Sequence, residues 1–273
     1  MAGFESSTEQ LLVSTEDRVA VVTLNRPEAR NALSDELTLA LRGAIAWARE
    51  APEIGALVLT GAGGAFCAGG DVKAMGRRNA SPGDQPSMEA QFRAMRARHQ
   101  EIAGALRAMQ KPSIAALPGP AAGAGMAIAL ACDLRIAARS AFLATGYARI
   151  GLSGDYGIAW LLTRVVGPGR ARELMLTGAR VSAERASEIG LVNDVVADED
   201  LGKAAFALAR SLAHGPQLAY AYIKDNLDEA LHIDHATAID READRLLKAR
   251  TTHDHREAVR AFAEKREPRF TGE

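Results

Sequence analysis

Cysteine is scarce in this chain: 273 residues carry two, Cys67 and Cys132. A disulfide scaffold is excluded at that density, and a cysteine-based zinc site has too few ligands. Excess charge is missing as well. Lysine and arginine number 33 against 34 aspartates and glutamates, a formal net charge of −1, so bulk charge gives no reason to expect a nucleic-acid partner. Nor is there a long unbroken apolar run. The 21 uncharged residues at 112–132 have the length of a bilayer span, yet Pro112, Pro118, Pro120 and three glycines interrupt them. A buried loop and helix is expected there, and no membrane segment. The opening MAGFESSTEQ has neither the basic start nor the apolar stretch of a signal or transit peptide. With the sparse cysteines, that leads us to expect a cytoplasmic protein.

Several catalytic signatures are also absent. There is no GxxxxGK[ST] phosphate loop, no HExxH, no calcium loop and no GxSxG elbow, and GAGG at residues 61–64 fails the dinucleotide spacing. His232 and His235, like His253 and His255, sit among charged neighbours in the C-terminal part and read as surface residues. No metal site is expected.

What is present is a chain with 48% hydrophobic and 25% charged residues, enough to bury a real core. VAVVTL at 19–24, ALVLT at 56–60, SIAAL at 113–117, residues 134–137 and LVNDVV at 191–196 read as strands. Ser34 caps a helix reaching about Arg49, a second helix runs to about Gln110 after a polar insertion at 77–86, and a glycine-punctuated third runs over about 122–130. The fold class is α/β. From residue 198 the pattern becomes helix after helix, with Pro216 at a first helical position and apolar residues at three- and four-residue spacings over 234–250 and 255–267. Two regions are therefore expected: an α/β body at 1–197 and a helical region at 198–273, which either mediates assembly or folds back on the body.

Two glycine-bearing segments follow predicted strands and lead toward helices: TGAGGAFCAGGDVKAM at 60–75 and LPGPAAGAGMAIALACDL at 117–134. Loops of small residues let backbone N–H groups face a ligand, and two such groups aimed at one point form an oxyanion hole. Close packing alone would also account for either segment.

NRPEARNAL at 25–33, LTGAGGAFCAGGDVK at 59–73, GPAAGAGMAIALACDLRIA at 119–137, ARIGLSGDYGIAWLLTRVVG at 148–167 and AFAEKREPRF at 261–270 resemble the successive signature segments of the enoyl-CoA hydratase/isomerase (crotonase) superfamily, in its order and over nearly the whole chain. The resemblance implies a crotonase-like ββα spiral with a C-terminal helical trimerisation region, assembled as a homotrimer or a dimer of trimers. It implies an acyl-CoA thioester as substrate, with no permanently bound cofactor. The oxyanion-hole N–H groups map to Gly70 and Ala124. Coenzyme A contacts map to Arg26 and Ala29 and to the run Ala68, Gly70, Asp71, Val72 and Lys73. Lys265 resembles a residue that approaches the phosphates from a neighbouring subunit.

Hydratases of this superfamily place two glutamates over the substrate, and here the matching positions are Ala127 and Tyr147. Alanine moves no proton, and tyrosine, with a reference pKa near ~10, is a poor base at neutral pH. One carboxylate remains in the segment: Asp155 in GLSGDYG resembles the aspartate of the ring-1,2-epoxyphenylacetyl-CoA isomerase-like subgroup, although Gly154 replaces its usual proline and Ile158 the second of its two glycines. An isomerase using Asp155 as acid and base is the leading expectation. Ile150, Leu152, Tyr156 and Trp160 would supply apolar surroundings that raise its pKa, Tyr147 would line the acyl pocket, donate a hydrogen bond or simply pack, and a helix N-cap is the structural alternative for Asp155. A hydratase with atypical catalytic residues, nucleophilic attack by Asp155 on an aryl-CoA, and a non-catalytic acyl-CoA-binding protein are the other readings. RAMRARH at 93–99 is expected to be a solvated helix face and not an RNA site.

Overall fold

The structure, a computed structural model, describes residues 4–71 and 86–272. In chain order come β1 (Leu11–Glu16), β2 (Val19–Leu24), α1 (Asp35–Glu50), β3 (Ala56–Gly61), α2 (Met88–His99), β4 (Ser113–Leu117), β5 (Ala121–Ala122), α3 (Ala124–Ala131), β6 (Leu134–Ala138) and β7 (Phe142–Ala144). There follow α4 (Ile158–Thr177), β8 (Arg180–Ser182), α5 (Ala183–Glu188), β9 (Asp194–Val196), α6 (Leu201–Ala213), α7 (Gln217–Glu229), α8 (His235–Arg250) and α9 (His253–Glu264). The main sheet has the order β1-β2-β3-β4-β6-β9, with β1 antiparallel and every other pair parallel. A smaller sheet joins β5, β7 and β8.

The interior strands match expectation because their runs are buried on both faces: all five residues of β4 are buried, as are the first four of β3. Four strands were not expected. β1 is an edge strand with a single buried residue, Leu11, so it shows no apolar alternation, and it turns into β2 through Asp17 and Arg18, both with positive φ. β5, β7 and β8 have two or three residues each, too few for a period. Ala122 therefore belongs to a strand paired with Ala144 and not to α3, β9 is confined to Asp194–Val196, and Pro216 is the residue before α7 and not its first.

Helix α1 is capped as the sequence indicates, with Leu37 N–H donating to Ser34 Oγ at 3.0 Å. It buries Leu37, Leu41 and Ile45 completely, each worth roughly 1.5–3 kcal/mol. Helix α6 lays Leu201, Ala205, Ala209 and Ala213 against the main sheet at four-residue spacing. Beyond it, α8 has no buried residue, and the chain end is instead tied down by two buried carboxylates. Thr271 N–H and Gly272 N–H donate to Asp254 at 2.7 and 3.0 Å, and Arg260, Arg266 and the Arg269 N–H bind Glu257. Among the described residues no helix is long and apolar enough to cross a membrane.

The parallel pairing brings the carboxyl ends of β3 and β4 together, the edge where α/β sheets present ligand-binding loops. The loops that leave those ends carry both glycine-rich segments.

Candidate active site

Loop 62–70 and loop 118–123 are stitched by their backbones. Phe66 N–H and Cys67 N–H both donate to Pro120 O at 3.1 Å, and Ala122 N–H returns to Cys67 O at 2.9 Å. The approach is so close that a Cβ on Gly125 would stand 2.3 Å from Cys67 O, which only glycine avoids. A Cβ on Gly69 would lie 3.4 Å from the Ala124 nitrogen, so the two expected donors sit on facing segments. Ala124 is the first residue of α3, where an N–H has no intrahelical acceptor. Gly70 bridges Leu33 in parallel fashion, with the flanking Gly69 O accepting from Leu33 N–H at 2.8 Å, which turns Gly70's own N–H to the other side. Among the described residues neither the Gly70 nor the Ala124 N–H has an acceptor.

Asn31, buried completely and not singled out in the sequence, locks this loop to the one before α1. Its Nδ2 donates to Ala62 O and Ala65 O at 2.9 and 2.8 Å, and its Oδ1 accepts from Arg26 N–H at 2.8 Å. Arg26 reaches Ala32 O at 2.6 Å and Asp71 Oδ2 at 3.4 Å, so two expected coenzyme contacts come together. Ala29 is half-buried in the turn Pro27–Ala29. Ala68 is exposed, but its N–H is committed to Arg30 O, which leaves its carbonyl for a ligand. Val72 and Lys73 lie outside the described residues. Lys265 follows α9 directly, exposed and in the left-handed region, and α9 packs against α8.

Ala127 is fully buried inside α3 and offers no proton-carrying group. Tyr147 lies beside the Gly123–Ala124 turn, with its Cζ 4.0 Å from where a Gly123 Cβ would be, and its hydroxyl donates to Asp155 Oδ1 at 2.5 Å. Tyr147 therefore connects the donor pair to the carboxylate. Burial holds the Tyr147 phenol far above its usual range, with the Asp155 charge adding to that, which keeps it a hydrogen-bond donor.

The Asp155 side chain does not cap α4. The residue before that helix is Gly157, no side chain caps it, and Asp155 contributes only its carbonyl, which accepts from Ile158 N–H at 3.0 Å. Its Oδ2 has no protein partner among the described residues. The turn that aims the carboxyl inward is unusual: Gly154 has φ +130°, Tyr156 φ +49° and Gly157 φ +76°. Proline cannot take the Gly154 conformation, so this chain follows a different local path from the subgroup pattern. Burial raises the Asp155 pKa, partly offset by the Tyr147 hydrogen bond and by His99.

The apolar surroundings differ from expectation. Tyr156 is buried beside Asp155, but Ile150 and Leu152 are about half exposed at 53% and 51%. Trp160 turns away to stack with His232 and lie under Arg164, because a left-handed turn rotates the start of α4 relative to Asp155. The neighbour that was missed is His99. Arg93–Arg96 are exposed as expected, but Ala97, Arg98 and His99 are half-buried, with the His99 ring 4.2 Å from the Tyr156 ring. A signal was present: Met88, Phe92, Met95, Ile102, Leu106 and Met109 mark one helical stripe at three- and four-residue steps, and His99 interrupts it.

Burial pushes both thiols, Cys67 and Cys132, up to about 12, so neither is a nucleophile at neutral pH. Among the described residues no group of three or more His, Cys, Asp or Glu could hold a metal ion. What the arrangement offers is two unpaired backbone donors, a hydroxyl donor and one carboxylate of raised pKa.

The sequence model of the enoyl-CoA hydratase/isomerase family matches residues 14–273. The chain is 39% identical over 265 residues to the 1,2-epoxyphenylacetyl-CoA isomerase of Escherichia coli K12, covering 97% of this chain and 99% of that one. It is 35% identical over 263 residues to the crotonyl-CoA hydratase of Syntrophomonas wolfei, covering 96% and 98%. A crystal structure of an enoyl-CoA hydratase from Polaromonas sp. JS666 superposes with a TM-score of 0.88 at 34% identity, over 96% of this chain and 99% of that chain. Relatives of both names match over their full length, so the likeness reaches the family and not the reaction.

Proposed function

The chain belongs to the enoyl-CoA hydratase/isomerase (crotonase) family, and from that premise we propose that it is an acyl-CoA isomerase with Asp155 as its single acid and base. The observation that carries this reading is the carboxylate inventory: Ala127 and Tyr147 stand where the family's two glutamates would be, and Asp155, partly buried and bonded only to a hydroxyl, remains.

Asp155 takes a proton from one carbon of the acyl group. The electrons move onto the thioester oxygen, where the Gly70 and Ala124 N–H groups stabilise the developing oxyanion. Each such donor is worth roughly 3 kcal/mol of barrier. The carboxylic acid then returns the proton to a second carbon, and mass is conserved. Tyr147 holds Oδ1 and leaves Oδ2 for the substrate. A raised pKa makes the carboxylate a stronger base than an exposed aspartate. Arg26, Ala29, Ala68, Asp71, Val72 and Lys73 hold the coenzyme part of the thioester, and Lys265 reaches a ligand on a neighbouring subunit of a homotrimer or a dimer of trimers. Leu227, Ile239, Leu246, Leu247, Val259 and Phe262, exposed on α7 to α9 of one chain, support that assembly. The free, buried state of both cysteines accords with a cytoplasmic setting.

The test is a panel of straight-chain, branched and aromatic acyl-CoA thioesters followed by absorbance and mass, with Asp155→Ala alongside. Conversion at constant mass that disappears in the variant supports isomerisation. Addition of one water assigns hydration, for which His99 beside Asp155 would be a second group able to hold the nucleophile. Binding without turnover across the panel would return the protein to a carrier of acyl-CoA.

A further inference from the structure

Helix α2 runs into a wide π turn at Gln100–Gly104 and then a last α turn at Ala105–Arg107. The stripe is continuous in sequence but not in burial. Ile102 and Leu106, from the π turn onward, are fully buried, while Met88, Phe92 and Met95 before it are 87%, 62% and 55% exposed. A π turn adds a residue to the helical circuit and re-phases the face that precedes it, and such turns recur at functional sites. His99 is the residue at this junction, and its ring meets Tyr156 at 4.2 Å with an interplanar angle of 41°. Tyr156 is held at φ +49°, a conformation that is strained for an aromatic residue and persists where the surroundings over-determine it. Between them the stack and the turn hold the imidazole against the residue next to Asp155, within reach of the carboxyl's charge.

The groups around this pair come from five elements. Tyr147 donates to Asp155 from the turn after β7. Tyr156 stacks on the imidazole, and the buried Cys67, in the loop after β3, is near enough to feel the carboxylate's charge. On α2 itself Arg98 stands next to His99, but it pairs with Asp35 of α1 at 3.3 Å, and Arg42 of α1 is engaged by Glu101. The cations nearby thus have carboxylate partners of their own. Cys67 and both tyrosines are held protonated at neutral pH by burial. His99 is the neighbour whose charge changes in the range where a partly buried carboxylate titrates.

We propose that His99 is a positioning residue that acts through Asp155: its imidazolium is the charge partner that keeps the carboxylate ionised on the acid side of neutrality, so that the base remains available at lower pH. The proposal rests on the reading of Asp155 as the base. Burial opposes both charges and wins, leaving the His99 imidazole below and the Asp155 carboxyl above its ordinary range; against it, the carboxylate favours the protonated imidazole and the protonated imidazole favours the ionised carboxylate. The two therefore titrate as a coupled pair, with macroscopic midpoints belonging to both.

Two measurements test it. In the pH profile of kcat/KM, His99→Gln and His99→Phe remove the charge while keeping, respectively, a polar and an aromatic group. Both should move the acid limb up by about 0.5–1 pH unit, which lowers kcat/KM by about 3- to 10-fold on the acid side and leaves the alkaline plateau within about threefold of wild type. A structural role alone would lower the plateau in one variant and leave the limb in place, and that result overturns the proposal. The second measurement needs no turnover. In the unliganded full-length protein the His99 ring signal, assigned by its loss in His99→Gln, is titrated by NMR with and without Asp155→Asn. Loss of the carboxylate should lower the His99 midpoint, and an unchanged midpoint overturns the coupling. If the midpoint falls but Asp155→Ala turns over at full rate, the isomerase reading fails while the coupled pair stands.

Discussion

Replacing Gly125 by alanine tests the donor pair through a single methyl group. The added Cβ would lie 2.3 Å from Cys67 O and 2.7 Å from Cys67 Cβ. Neither neighbour can swing aside, because Cys67 O already accepts from Ala122 N–H and Cys67 N–H is bound to Pro120 O. Restoring ordinary contact requires loop 62–70 and the start of α3 to separate by about 1 Å, and those segments carry Gly70 and Ala124. Displacement of that size in a catalytic constellation costs about 100-fold in rate, equivalent to about 2.7 kcal/mol, close to the loss of one oxyanion donor. Overpacking should cost about 1–3 kcal/mol of stability. The expected result is a folded Gly125→Ala enzyme with kcat down about 100-fold, KM changed much less, and a melting temperature lower by roughly 3–10 °C. Gly202→Ala on α6, whose Cβ would meet nothing within 4 Å, is the control and should keep both activity and stability. A Gly125→Ala enzyme within about threefold of wild-type kcat would show that the packing of these loops does not set the donor geometry.

Three further outcomes follow from the same contacts. Asp155→Asn keeps a partner for the Tyr147 hydroxyl and removes a buried charge. Because the wild-type pKa is raised on folding, the stability this group contributes is full below the unfolded carboxylate value and is lost as pH rises through the folded one. The variant should therefore gain on wild type in melting temperature as pH rises across that window, while turnover falls by roughly 1000-fold or more. Asn31→Ala strands Ala62 O and Ala65 O and puts alanine at φ +57°; a loss of roughly 3 kcal/mol in denaturant unfolding is expected. Glu257 has its pKa held well below the usual carboxylate range by Arg266 first and by Arg260 and the Arg269 N–H after it. Its contribution is present above the unfolded value and lost as pH falls, so wild type should lose stability toward Glu257→Gln on acidification, read as converging melting temperatures.

Much of the architecture was legible because its causes are local. β2 and β4 carry contiguous apolar runs that only a doubly covered strand requires, and Ser34 followed by two acids marks the start of α1. β1 was not legible, since an edge strand with one buried side chain has no pattern to read, and its turn at Asp17 and Arg18 lacks the usual glycine.

The site divides in the same way. By itself the sequence determined that two small-residue loops follow strands, that both expected glutamates are absent and that Asp155 is the carboxylate left. These are statements about residue type at a position: spacing is enough for the first, and the resemblance to the crotonase segments implies the other two. Only the tertiary structure decided that Gly125 lies against Cys67, that Asp155 meets Tyr147 and not the helix N-terminus, that Trp160 faces away, and that His99 stacks on Tyr156, the residue next to Asp155. Each of those depends on a φ value or on a contact between separate elements; the helical stripe marks His99 as out of place, but which group it meets is an outcome of packing that no local period encodes.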